Sequence, residues 1–110
     1  MALDETIQAV NCNLLLGKLE SAKARFDEQT NLLRGFEQDI RIEENQLRSL
    51  RQQQTRTGDR EGFAHDIFEV EQRIDRLKRN LANAESQRRI ASDDVSNLNG
   101  QILKHRCIQR

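Results

Sequence analysis

Residues 52–62 read Gln52-Gln53-Gln54-Thr55-Arg56-Thr57-Gly58-Asp59-Arg60-Glu61-Gly62, with two glycines, two threonines and no apolar side chain. This stretch decides the fold, because regular apolar patterns run up to it from both sides and neither crosses it. Gly58 can take the left-handed conformation that ends a helix, and Asp59 can cap the next one. The chain therefore reads as one helical hairpin over residues 1–110, with a helix at about 4–54, a turn at about 55–60 and a helix at about 61–107.

On the N-terminal side, a 3-4 alternation runs Leu19, Ala22, Phe26, Gln29, Leu33, Phe36, Ile40, Glu43, Leu47, Leu50. On the other side it runs Phe63, Ile67, Val70, Ile74, Leu77, Leu81, Ala84, Arg88, Ala91, Val95, Leu98, Ile102. Only Gln29, Glu43 and Arg88 interrupt the apolar character. A mean spacing of 3.5 residues held over this length is the signature of a coiled coil. Glu-to-Arg pairs at i,i+4 (Glu37/Arg41, Glu44/Arg48, Glu69/Arg73, Glu85/Arg89) suit the solvated faces of such helices.

The alternative to a hairpin is one continuous helix of about 105 residues, roughly 160 Å long. Folding back near residue 60 sets Leu50 against Val70, Leu47 against Ile74, Ile40 against Leu81 and Leu19 against Ile102. Large residues then meet small ones at Phe36/Ala84 and Ala22/Leu98, which is how a packed seam is filled. The same fold brings the polar intruders Gln29 and Arg88 within about one helical turn. It also carries Asp4 and Glu5 toward Lys104, Arg106 and Arg110. These agreements favour an all-α antiparallel two-helix coiled-coil hairpin.

The open end is less regular. Leu3, Ile7, Val10 and Leu14 keep 3-4 spacing out of phase with Leu19, and Gly17 lies almost opposite Gly100, so a stutter or a splayed base is expected. Apolar residues off the seam gather there: Leu14, Leu16, Leu32, Ile90, Leu103 and Ile108, against only Ile42 and Phe68 toward the turn. Two helices bury one narrow seam. The leftover residues predict self-association as a homodimer, two hairpins pairing into a four-helix bundle.

Composition excludes several functions. The 18 Lys+Arg balance 18 Asp+Glu, so the formal net charge is zero and no broad positive field is available for nucleic acid. The lack of a one-sided Lys/Arg stripe argues the same way. No apolar run approaches a membrane span, and no basic leader region precedes Asp4 and Glu5, so a cytoplasmic protein without membrane contact is expected. Leu, Ile, Val and Phe make up about a quarter of the chain, above the range of disordered sequences. The helix formers Glu, Gln, Leu, Arg and Ala dominate, and there is no Pro.

Motifs of catalysis are missing: no glycine-rich phosphate loop, no Gly-x-Ser-x-Gly and no zinc-type cysteine spacing. A two-helix hairpin also lacks the concave pocket that catalysis uses. The chain is therefore read as no enzyme, with no cofactor and no metal. The best metal candidate, Glu61, His65 and Glu69, shares one helix face at i,i+4 and i,i+8, a pattern far more often a solvated face. His105 falls at a d position near the end of the second helix, where a surface or part-buried histidine is the simple reading. Cys12 and Cys107 come level across a hairpin. The register from Phe63 to Ile102, extended, turns Cys107 outward to an f position. The Leu3–Leu14 register does the same to Cys12, although extension back from Leu19 would turn Cys12 inward. In a reducing cytoplasm two free thiols are expected, with an intrachain bridge as the main alternative and a metal or an intermolecular bond as the lesser ones.

Gly58-Asp59, Ala64 and Glu71-Gln72 resemble the tip of the helical hairpin in bacterial transcript-cleavage factors. That resemblance implies a hairpin inserted into an RNA polymerase channel, where two tip carboxylates reach the catalytic magnesium. The second acid of that pattern would fall at Gly62, and the nearest acid here is Glu61. The export stalks of secretion ATPases are similar in shape. The expected role is thus a protein-binding hairpin: an adaptor, an assembly component or an inhibitor of a larger protein. The alternative is a regulator of a nucleic-acid enzyme whose tip enters a channel or active site. The expected partner is another protein. The candidate partner-binding tip is Arg56, Asp59, Arg60, Glu61 and Phe63, and the candidate oligomer surface is the six off-seam residues of the open end.

Overall fold

A computed structural model describes residues 2–107, with side chains described from Asn11 to Cys107. It contains two helices, α1 (Ala2–Thr57) and α2 (Arg60–Lys104), with no strand among the described residues. They pack against each other as an antiparallel helical hairpin.

The turn is two residues long. Gly58 has φ +71°, and its N–H donates to the Gln54 carbonyl at 2.9 Å, which is the left-handed closure that satisfies an orphan carbonyl of α1. Asp59 then caps α2: its Oδ1 accepts from the Gly62 N–H at 3.0 Å. The Asp59 N–H in turn donates to the Thr57 hydroxyl at 3.3 Å, and Gln54 Nε2 reaches across to the Arg60 carbonyl at 2.9 Å. A Cβ at Gly62 would overlap the Asp59 carboxylate, so the missing side chain makes room for the cap. Asp59→Ala should therefore cost about 1 kcal/mol, read as a lower midpoint in thermal or urea unfolding, with no change in helical circular dichroism under native conditions.

Packing divides the hairpin into two compact units, residues 31–85 with the turn and residues 1–30 with 86–110. In the turn-bearing unit Leu33, Ile40, Val70, Ile74 and Ala84 are buried. The other unit buries Leu19, Ala22, Ala91 and Ile102. Every position of the two runs quoted above is buried or half-buried, and both alanines expected to face larger residues are buried. The seam also settles its polar intruders. Glu43 accepts from Arg73 Nε at 3.2 Å, a part-buried charge-assisted bond between the helices. Arg73 is thereby taken from Glu69, its expected i,i+4 partner. Arg88 lays its guanidinium over the Phe26 ring, 4.9 Å from the centroid, a cation–π contact that lets a cation occupy a seam position. Arg25 and Asp94 add a 3.5 Å ion pair, exposed enough that its contribution is at most about 1 kcal/mol.

Two expectations for the open end are corrected. The register from Leu19 continues back through Leu15 to Cys12, both half-buried, while Leu14 of the competing register is exposed, so no stutter occurs between Asn11 and Leu19. Leu3, Ile7 and Val10, together with Asp4 and Glu5, carry side chains outside those described. Second, the thiols are not free. Cys12 and Cys107 form a disulfide with a Cα–Cα distance of 5.5 Å, and no free cysteine remains.

The reason lies in how α2 ends. The Arg106 N–H donates to the Leu103 carbonyl at 3.1 Å and the Cys107 N–H to the Ile102 carbonyl at 2.9 Å. Arg106 itself has φ +54°. This is a Schellman closure with arginine in the left-handed position that glycine usually takes. The helix stops at Lys104, the chain turns, and the side chain of Cys107 no longer follows the outward f position of a longer helix. A bridge between inward Cys12 and redirected Cys107 then closes the base rather than leaving it splayed.

Candidate interaction surfaces

The turn presents Arg56, Asp59, Arg60 and Glu61 to solvent, with Phe63 half-buried at the start of the α2 seam. The local hydrogen bonds separate these residues in kind. The Asp59 carboxylate is engaged in capping, whereas Arg56, Arg60 and Glu61 project from the first and last turns around it. Phe63 belongs to the scaffold as much as to the tip. Glu61 also fails to join a metal site: His65 Nε2 pairs with Glu69 Oε1 at 3.0 Å on an exposed face. Among the described residues no three His, Cys, Asp or Glu side chains are grouped to hold a metal ion. His105 is exposed in the closing turn, just beyond the last residue of α2.

The six off-seam residues do not form one patch. In the unit that holds the open end, Leu14 and Ile90 are exposed on the flank carrying the Arg25–Asp94 pair. Leu16 and Leu103 occupy the other flank by helical position; Leu16 is half-buried and Leu103 is 77% exposed. Leu32 lies in the turn-bearing unit and is exposed, and Ile108 lies outside the described residues. In the same turn-bearing unit Ile42 and Phe68 are exposed as well.

A groove in the turn-bearing unit went unread in the sequence. Its walls include Glu44, Arg48, Arg51, Thr55, Arg56 and Lys78, four cations against one carboxylate, and Leu47 and Ile74 of the seam supply its apolar lining. The signal was present as arginines at 3-4 spacing, Arg48 and Arg51, just outside the seam positions Leu47 and Leu50. A charge count over the whole chain hides such a stripe, because acids elsewhere cancel it. A second groove, in the other unit, is lined by Leu14, Gly17, Arg25, Asp94 and Leu98, among others. Both are open troughs between helices. No helix is long and apolar enough to cross a membrane among the described residues. No family model, no curated protein and no solved structure matches the chain.

Proposed function

We propose that the chain is a non-enzymatic, protein-binding helical hairpin that serves as an adaptor, assembly component or inhibitor of a larger protein, and that it associates with itself. The observation that carries this reading is the set of large apolar side chains left outside a seam that is already filled: Leu14, Leu32, Ile42, Phe68, Ile90 and Leu103. Such residues mark a surface that meets other proteins where they border further apolar area, as Leu14 does with Leu98 in one trough. Open troughs offer contact area to a partner but exclude little water, which suits binding better than catalysis. The exposed, charged turn supplies a further contact point. The Cys12–Cys107 bridge supports an oxidising compartment over the cytoplasm expected from the sequence, because such bonds seldom persist among cytosolic thiols.

Affinity capture from the native host under non-reducing conditions tests this reading, with wild-type chain beside Arg56→Glu/Arg60→Glu. The expected result is a protein recovered by wild type and depleted with the variant. Recovery of a nucleic-acid polymerase or nuclease would select the channel-entering alternative. Capture of no protein by either chain would contradict protein binding.

A further inference from the structure

The flank of the turn-bearing unit that holds the basic groove is divided in charge between its two helices. On α1, Arg41, Glu44, Arg48, Arg51 and Thr55 follow one another at 3-4 spacing, so they share a face, and all are exposed. On α2, Glu61, Ala64, Phe68, Glu71 and Asp75 do the same, again all exposed. The α1 stripe therefore carries three arginines and one carboxylate, and the α2 stripe three carboxylates around a phenylalanine that is 60% exposed. The α1 stripe lines the groove through Glu44, Arg48, Arg51 and Thr55, and α2 lines it through Ile74 and Lys78. Lys78 is the next 3-4 step after Asp75, so the carboxylate stripe runs from the turn up to the groove's α2 wall and ends there on a cation. Phe68 lies ten residues after Gly58 and Arg48 ten before it, so the ring and the arginines stand at the same level of the hairpin.

We propose that a second copy of this chain occupies the groove, with Phe68 of each hairpin seated against Arg48 and Arg51 of the other. A two-fold axis along the hairpin turns these like flanks toward each other and places α1 of one copy on α2 of its partner. Arg41 then comes level with Asp75, and Arg48 and Arg51 lie within about one helical turn of Glu71 and Glu61, with Glu44 beside Glu71 as a like-charged neighbour; the same set of pairs recurs by symmetry. The opposite arrangement, with turns at opposite ends, would lay α1 on α1 and set arginines against arginines. Charge thus selects the parallel pairing. Phe68 would exchange solvent for guanidinium faces and the Leu47 side chain, the kind of contact that Arg88 and Phe26 already make within the chain. An acidic segment of another protein would satisfy the arginines but would leave Phe68 and its surrounding carboxylates without a role. This proposal rests on the self-association reading above, and it assigns that association to the turn-bearing unit rather than to the open end.

Sedimentation equilibrium on the full, disulfide-bonded chain tests it, with helical content checked by circular dichroism for each variant. Wild type is expected to dimerise, and Phe68→Glu should weaken the dimer at least about tenfold, as the loss of a central aromatic anchor does. Arg48→Glu/Arg51→Glu alone and Glu71→Arg/Asp75→Arg alone should both be monomeric, since each gives two stripes of one sign. Mixed in equal amounts, the two charge-reversed chains should form a heterodimer. A monomeric wild type would overturn both this inference and self-association. A wild-type dimer that survives these changes but is lost in Leu14→Glu/Ile90→Glu would keep self-association and overturn this interface. Failure of the mixed chains to pair would also overturn it.

Discussion

Reducing the Cys12–Cys107 bond, or replacing both cysteines by serine, should lower the unfolding free energy by roughly 4–5 kcal/mol. The size follows from the separation of 95 residues: in the chain-entropy account, opening so long a loop restores a large number of unfolded conformations. Two packed helices bury only a seam, so the loss is large against a stability typically of about 5–15 kcal/mol. For a chain of 110 residues it corresponds to a drop of roughly 15–20 °C in thermal midpoint. The midpoint should return on reoxidation of wild type, and the serine variant should not respond to reductant at all. An unchanged midpoint on reduction would mean that the bridge contributes nothing to the fold.

The second large effect separates neighbouring leucines. Leu33 is 6% exposed and Leu32 is 42% exposed. Leu33→Glu removes a packed side chain and places a carboxylate in the seam without a partner, and each change is costly. The expected loss is about 3–5 kcal/mol, with most helical signal gone at moderate temperature. Leu32→Glu puts the same charge one residue earlier on the exposed flank. Measured at a concentration low enough to keep chains apart, its midpoint should stay within about 0.5 kcal/mol of wild type. Equal losses from both substitutions would show that the seam does not distinguish these positions.

The fold was legible because a coiled coil writes itself as a period. Each position from Leu19 to Leu50 and from Phe63 to Ile102 that the alternation assigns to the seam is buried or half-buried, with the polar Gln29, Glu43 and Arg88 among the half-buried. Gly58 and Asp59 were equally legible, because a left-handed closure and a cap need particular chemistry. What failed was the end of α2. A Schellman closure normally announces itself with glycine, and Arg106 gives no such signal, so the helix was carried three residues too far and Cys107 was turned the wrong way. At the other end two registers competed on equal apolar spacing. Only the packing of Leu15 and Cys12 decides between them. The candidate interaction surface was least legible. Off-seam apolar residues were visible one by one, but their division between flanks follows from the register of both helices together.

A single chain folds back on itself and is closed at its base by Cys12 and Cys107. Intact mass spectrometry after alkylation without reductant, beside non-reducing size analysis, reads that closure on the whole chain. The expected result is a chain of monomer mass with no alkyl group added, and a non-reduced digest in which one cross-linked peptide pair carries both cysteines. Two alkyl groups on every chain, or a bond found only between two chains, would contradict it.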